Sequence, residues 1–179
     1  GDADQDTTRF NSTNIRSSFY DEFLDDNLGY SLGIDFNLDN GRGGRIDGSP
    51  KIDDYAAYLS TKYIYDYLTI QPAVRYIYNT KYDAPLVPAL NLMVEITNEL
   101  TARASYAKGF RAPSLKELYF FFVDASHNIR GNQDLEAESS DAYNLGFTYT
   151  SVNEKRVLKL EPNFYFNVIK QNHISKRQE

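Results

Sequence analysis

The amino-acid sequence predicts an all-β protein, built as an antiparallel meander of about eight strands. Three observations lead to this prediction. Apolar and polar residues alternate with a period of two along most of the chain, no stretch of any length has helical periodicity, and short polar connections alternate with long ones. A period of two is typical of strands that have one apolar and one polar face.

The clearest strand is predicted over Leu28–Asp39, where every second residue from Leu28 to Leu38 is apolar and the residues between them are polar or glycine. Similar alternation predicts further strands over Asp53–Tyr65, Tyr67–Tyr78, Leu86–Thr97, Leu100–Tyr106, Asp141–Thr150 and Val157–Val168, and less clearly over Arg9–Leu24. Pro72 and Pro162 lie inside two of these strands, which favours a bulge at each.

The connections between the predicted strands alternate strictly in length. Short polar turns are predicted at Asp25–Asn27, Asp66, Thr97–Glu99 and Val152–Glu154. Long connections cover Asn40–Ile52, Asn79–Pro85 and Gly109–Ser140, and we expect a short helix near Ser114–Leu118 in the last of them. Outer-membrane barrels have this asymmetry, with tight periplasmic turns and long extracellular loops.

The composition agrees with strands that cross a membrane. No run approaches the roughly 18 apolar residues of a membrane helix, and the mean hydropathy is −0.55, as expected when apolar and polar faces average out.

Tyrosine is abundant, with 15 residues. It is predicted to form an outer belt of Tyr76, Tyr78 and Tyr106 and an inner belt of Tyr30, Tyr63, Tyr65 and Tyr149. The sequence therefore predicts a transmembrane β-barrel segment with long extracellular loops.

Several classes of protein are disfavoured by the same sequence. The net charge of −6 argues against nucleic-acid binding, and the absence of cysteine excludes a disulfide framework or a thiolate site. No Gly-x-Ser-x-Gly motif or paired carboxylates suggest an enzyme. A small lipocalin-like carrier also has alternating strands, but here the predicted interior is polar. That carrier and a non-transporting outer-membrane barrel remain as alternatives.

Two sequence runs resemble those of TonB-dependent outer-membrane receptors. Residues 106–120 read Tyr-Ala-Lys-Gly-Phe-Arg-Ala-Pro-Ser-Leu-Lys-Glu-Leu-Tyr-Phe, and residues 131–140 read Gly-Asn-Gln-Asp-Leu-Glu-Ala-Glu-Ser-Ser. In the second run, Gln133 and Ala137 stand where the family usually has proline. The resemblance implies a receptor in the outer membrane of a Gram-negative bacterium, which imports a ferric siderophore, haem or cobalamin and has no catalytic residues.

The family resemblance also implies partners and a larger architecture. Outer-membrane transporters of this kind form plugged barrels of about 22 strands, so residues 1–179 are expected to be a partial barrel domain that lacks the plug. The expected partners are outer-membrane lipid, the plug domain, the TonB complex through a missing N-terminal region, and a small-molecule ligand. We expect no resident cofactor, since haem or a ferric siderophore would be only the transported ligand.

A histidine in the longest loop is the sharpest candidate for ligand binding. His127 lies between the Phe-Arg-Ala-Pro box that begins at Phe110 and the run that begins at Asn132, an order similar to that in haem receptors of the family. An imidazole nitrogen can ligate haem iron, so the resemblance predicts His127 as an iron ligand. Phe110, Arg111, Phe121 and Asn132 are predicted ligand contacts, and the ring run Phe120–Phe122 would pack on a porphyrin.

Overall fold

The computed structural model describes residues 7–23, 27–153 and 156–171. Nine strands of the described residues form one antiparallel sheet, and two short strands form a separate hairpin. In chain order the elements are β1 (Arg9–Phe23), β2 (Leu28–Arg42), β3 (Lys51–Tyr65), β4 (Leu68–Asn79), β5 (Val87–Glu95), β6 (Leu100–Arg111), α1 (Leu115–Tyr119), β7 (Phe121–Val123), β8 (Asn128–Arg130), β9 (Glu138–Asn153), β10 (Arg156–Leu160) and β11 (Asn163–Gln171).

The sheet is a meander in which each strand pairs with its neighbour in sequence, except that the loop hairpin is skipped between β6 and β9. Both β10 and β11 pair with β9, so the nine strands occupy eight positions. This confirms the predicted all-β meander and its strand number. The sheet is not closed within the described residues, since β1 lies at one edge and β10 with β11 at the other.

The prediction of a bulge at each proline is wrong. Leu160 pairs with Tyr149 and Asn163 with Gly146, so the register of the last strand is unchanged across Pro162. The Phe147 N–H still donates to the Pro162 carbonyl at 3.0 Å. Pro72 likewise pairs with Leu90 in an unbroken register. A proline lacks an N–H, so it removes one ladder bond without requiring an extra residue.

The connections confirm the predicted alternation of short turns and long loops. The turn between β3 and β4 has two residues, and Asp66 there has a φ of +52°, which aspartate tolerates better than most residues. Of the turn predicted at Asp25–Asn27, only Asn27 is among the described residues. Glu154 of the last predicted turn lies outside them. Long loops cover residues 43–50, 80–86 and 112–137, and all three lie at the end of the sheet opposite to the short turns. No helix among the described residues is long and apolar enough to span a membrane.

The two faces of the sheet differ as predicted. The register aligns large apolar residues across all the strands on one face, including Phe19, Leu32, Leu59, Val74, Leu90, Leu145 and Phe164. Both predicted tyrosine belts lie on this face, one towards the long loops and one towards the turns. The polar face carries Asp35, Asn37, Gln71, Arg75, Asn91, Arg103 and Asn163. An exposed apolar surface of this extent marks contact with lipid or with another protein.

Candidate functional site in the long loops

The buried core of the described residues lies at the loop end of the sheet, not between its faces. Ile52 of β3 packs against Leu115 and Leu118 of α1, with Phe10, Tyr119 and Leu135 around them. Leu118 is only 1% exposed. Because this cluster joins two strands to the longest loop, it fixes that loop to the rim of the sheet.

The loop of residues 43–50 is tied to the segment that follows α1. Ile46 and Phe120 form an antiparallel bridge, the Asp47 N–H donates to the Tyr119 carbonyl at 3.3 Å, and the Phe121 N–H donates to the Arg45 carbonyl at 3.0 Å. The side-chain amide of Gln133 donates to Asp47 at 3.1 Å. Two loops that are far apart in sequence are therefore joined through their backbones.

The loop of residues 80–86 is anchored by two buried polar side chains. The Asn79 side-chain oxygen accepts the N–H groups of Lys81 and Tyr82 at 2.8 Å each. Tyr82 is fully buried, and its hydroxyl donates to the Leu135 carbonyl at 2.9 Å. Burial raises the pKa of Tyr82 to about 12, because the phenolate would lose its hydration there. The three long loops thus form one packed unit, which we call the loop platform (residues 43–50, 80–86 and 112–137).

The Phe-Arg-Ala-Pro-Ser run connects the end of β6 to the start of α1. Ser114 is the N-cap of the helix and forms a reciprocal capping box with Glu117. The Arg111 guanidinium donates to Glu117 at 2.5 Å and to Glu138 of β9 at 3.4 Å. The backbone N–H of Ser114, followed by Arg111, lowers the pKa of Glu117 to about 2. Arg111 therefore joins β6, α1 and β9, and its predicted role in ligand contact stays a prediction.

The second run makes the tight return from α1 towards β9. The Gly131 N–H donates to the Phe120 carbonyl at 2.6 Å, and a Cβ at this position would lie 2.6 Å from the Leu118 carbonyl carbon. Only glycine fits such a close approach of two backbones. The side-chain oxygen of Asn132 accepts the Asp134 N–H at 2.9 Å, which is a local turn bond of the kind asparagine favours.

His127 lies in the turn of the β7–β8 hairpin, whose residues 123–130 are all exposed. Its Nδ1 lies 3.0 Å from one carboxylate oxygen of Asp124, which also accepts the N–H groups of Ser126 and His127 at 2.7 Å. The Phe122 ring centroid is 5.1 Å from that of His127. The pKa of Asp124 is lowered, first by the hydrogen bond from the Ser126 N–H.

The structure places the predicted site residues in the loop platform and in the strand end that leads into it. His127 and Phe121 belong to the hairpin, Phe110 and Arg111 to the end of β6, and Asn132 to the return turn. The sequence analysis missed Asp124, although its spacing of three residues from His127 was a usable signal. It also missed Arg45, whose guanidinium lies 4.2 Å from the Phe122 ring centroid. No group of three or more potential metal-binding side chains is found in the described part of the chain.

Comparison with known proteins gives a family and two groups of relatives. The family model "TonB dependent receptor-like, beta-barrel" matches residues 1–170. The chain is 36% identical over 80 residues to the hemoglobin and hemoglobin-haptoglobin-binding protein C of Haemophilus influenzae, a match that covers 45% of this chain and 8% of that protein. It is 43% identical over 51 residues to the hemoglobin-haptoglobin-binding protein A of the same species. That match covers 28% of this chain and 5% of that protein.

The similar solved structures are receptors of the same architecture. The siderophore receptor PirA from Pseudomonas aeruginosa superposes with a TM-score of 0.76 at 17% identity, over 90% of this chain and 32% of that chain. The ferric enterobactin receptor PfeA superposes with a TM-score of 0.73 at 17% identity, over 91% of this chain and 27% of that chain. At this identity the likeness shows the fold alone. The chain spans about a third or less of each of these receptors.

Proposed function

The chain belongs to the family of TonB-dependent receptor β-barrels, and from this membership we propose that the whole protein is an outer-membrane receptor that imports haem. In this proposal residues 1–179 are part of a longer barrel domain in a Gram-negative outer membrane. The apolar face contacts lipid, and the polar face lines a lumen that holds a plug domain. The TonB complex supplies the energy, and the loop platform faces outwards.

The observation that carries the choice of haem is the pairing of Asp124 with His127. A carboxylate on Nδ1 leaves the other ring nitrogen, Nε2, to act as a ligand, and metal-binding histidines usually have such an outer partner. The His127 side chain is 54% exposed, so a flat ligand can reach it. Phe122 beside the imidazole and Phe121 next to it supply apolar surface for a porphyrin.

The named relatives support the same ligand class. By their names, one relative in Haemophilus influenzae at 36% identity binds haemoglobin and haemoglobin-haptoglobin, and another at 43% identity binds haemoglobin-haptoglobin. Haemoglobin carries haem. Siderophore receptors share the fold at 17% identity, and a likeness at that level supports no particular ligand.

The test is a haemin titration of the purified full-length receptor, followed by its Soret absorption band. We expect a shift of the band in the wild type that is weakened in His127→Ala. Ser126→Ala is the matched control, because Ser126 uses its backbone N–H and not its hydroxyl to contact Asp124. A wild type without any shift, or a shift that His127→Ala leaves unchanged, would contradict haem ligation by this histidine.

A further inference from the structure

Three aromatic residues form a row on the apolar face of β6, β9 and β11. Tyr106 pairs directly with Tyr143, and Tyr143 with Phe166. The ring centroids of Tyr106 and Tyr143 are 5.2 Å apart, and those of Tyr143 and Phe166 are 6.4 Å apart. Tyrosine rings such as the two in this row are typical of the level where the hydrocarbon of a membrane meets its headgroups.

Beyond this row on the same face, towards the loops, β6 carries Lys108 and β9 carries Asp141, whereas β11 carries first Val168 and then Lys170. Lys108 pairs directly with Asp141. The Lys170 ammonium lies 3.6 Å from one Asp141 carboxylate oxygen, and the Tyr106 hydroxyl donates to the other at 2.9 Å. No carboxylate among the described residues lies within ion-pair distance of the Lys108 ammonium. Two lysines and one aspartate leave this patch with a net charge of +1, on a chain whose net charge is −6.

The level of the lysines relative to the aromatic row points to a ligand. Two residues along a strand span about 7 Å, so Lys108 lies about that far beyond the Tyr106 ring row, on the side of the long loops. If the row marks the edge of the hydrocarbon, the ammonium groups lie among the headgroups of the outer leaflet. Anionic lipid headgroups are attracted to lysines in such positions.

We propose that Lys108 and Lys170 bind the phosphate of a phosphorylated glycolipid in the outer leaflet. Asp141 positions the Lys170 ammonium and the Tyr106 hydroxyl, and the acyl chains lie along Tyr143 and Phe166. This inference rests on the proposed outer-membrane location and on the loops facing outwards. It differs from transport, because the site lies on the lipid side of the sheet and not on the lumen side.

The test uses the full-length receptor in detergent and native mass spectrometry with lipid A as the probe, in its phosphorylated and dephosphorylated forms. One lysine near a membrane surface strengthens anionic binding by about fivefold. We therefore expect Lys108→Ala and Lys170→Ala each to weaken retention of phosphorylated lipid A by about that factor, and Lys108→Arg to retain it. The matched control is Lys159→Ala, since the Lys159 side chain is 54% exposed and also pairs with one carboxylate, but on the polar face.

Several outcomes would overturn the proposal. Equal retention of phosphorylated and dephosphorylated lipid A would show that acyl chains alone account for binding. Complete displacement by inorganic phosphate would identify a soluble anion as the ligand, and a loss in Lys159→Ala as large as in Lys108→Ala would remove the assigned site. Haemin binding is measured on the same preparations and does not depend on the lipid-side lysines. A failure of the lipid proposal can therefore be told apart from a failure of the proposed haem uptake.

Discussion

Leu118→Ala is the substitution that most directly tests whether the long loops form one packed platform. Leu118 is 1% exposed and packs against Leu115 and Ile52. The alanine would leave a cavity between α1 and the rim of the sheet. Because the sheet is held by its own ladders, we expect the loop of residues 112–137 to open locally while the strands stay paired.

The size of the effect follows from the surroundings of the side chain. Leucine-to-alanine changes in close-packed cores cost about 2–5 kcal/mol. The lower half of that range applies here, because Phe10, Tyr119 and Leu135 around the cluster are only partly buried and can relax into the cavity. A loss of about 2–3 kcal/mol in the free energy of local opening corresponds to roughly a 30- to 150-fold increase in the open population.

Amide hydrogen exchange of the full-length receptor measures this population. The amides of Gly131 and Asn132, which donate to carbonyls of the α1 segment, should exchange faster by about that factor, whereas strand amides should not. Ile129→Ala is the control, since Ile129 is 50% exposed in the hairpin. Unchanged exchange at Gly131 would refute the platform, and equal acceleration in β3–β6 would show that loops and sheet unfold together.

Three further predictions concern the same loops. Gly131→Ala should loosen residues 112–137 and expose them to proteolysis, because the new Cβ would meet backbone atoms at 2.6 Å; resistance equal to that of the wild type would count against it. Asp124→Asn should weaken haemin binding about 10- to 100-fold in the Soret titration, the usual effect of losing an outer partner, and an unchanged affinity would argue against His127 as the ligand. Glu117 has a pKa of about 2 against an ordinary 4.5, so its stabilisation is present above about pH 4.5 and is lost as the pH falls towards about 2. The difference in amide exchange between wild type and Glu117→Gln should therefore shrink as the pH falls over that range. The change should be smaller than the full pKa shift implies, since water screens this half-exposed pair. A difference that stays constant with pH would contradict this stabilisation.

The sheet could be predicted from the sequence because its two faces contact different surroundings. The alternation of apolar and polar residues along Leu28–Asp39 and the other predicted strands indicates which side of each strand is apolar. This is enough to count the strands. It does not locate strand ends, since β2 continues through Arg42 and β9 begins at Glu138. These ends are set by contacts with the loops, such as the bond from the Gly41 N–H to the Pro50 carbonyl.

The site was less predictable, because its contacts join residues that are far apart in sequence. A short helix was expected near Ser114–Leu118 from the family resemblance of the run around it, and the structure has it at Leu115–Tyr119. The β7–β8 hairpin was not expected, since its strands have three residues each and no alternation. The ion pairs of Arg111 and the contact of Arg45 with Phe122 depend on how three loops meet, and no pattern within one loop contains that information.

The orientation of the chain in the membrane is the measurement that tests the account most directly. Ser126→Cys in the hairpin and Asn98→Cys in the turn between β5 and β6 would be made separately in a cysteine-free full-length receptor. A membrane-impermeant maleimide would then be added to intact cells. We predict labelling of Ser126→Cys in intact cells and labelling of Asn98→Cys only after the outer membrane is permeabilised. Labelling of Asn98→Cys alone, or of both in intact cells, would contradict a barrel wall whose long loops face outwards.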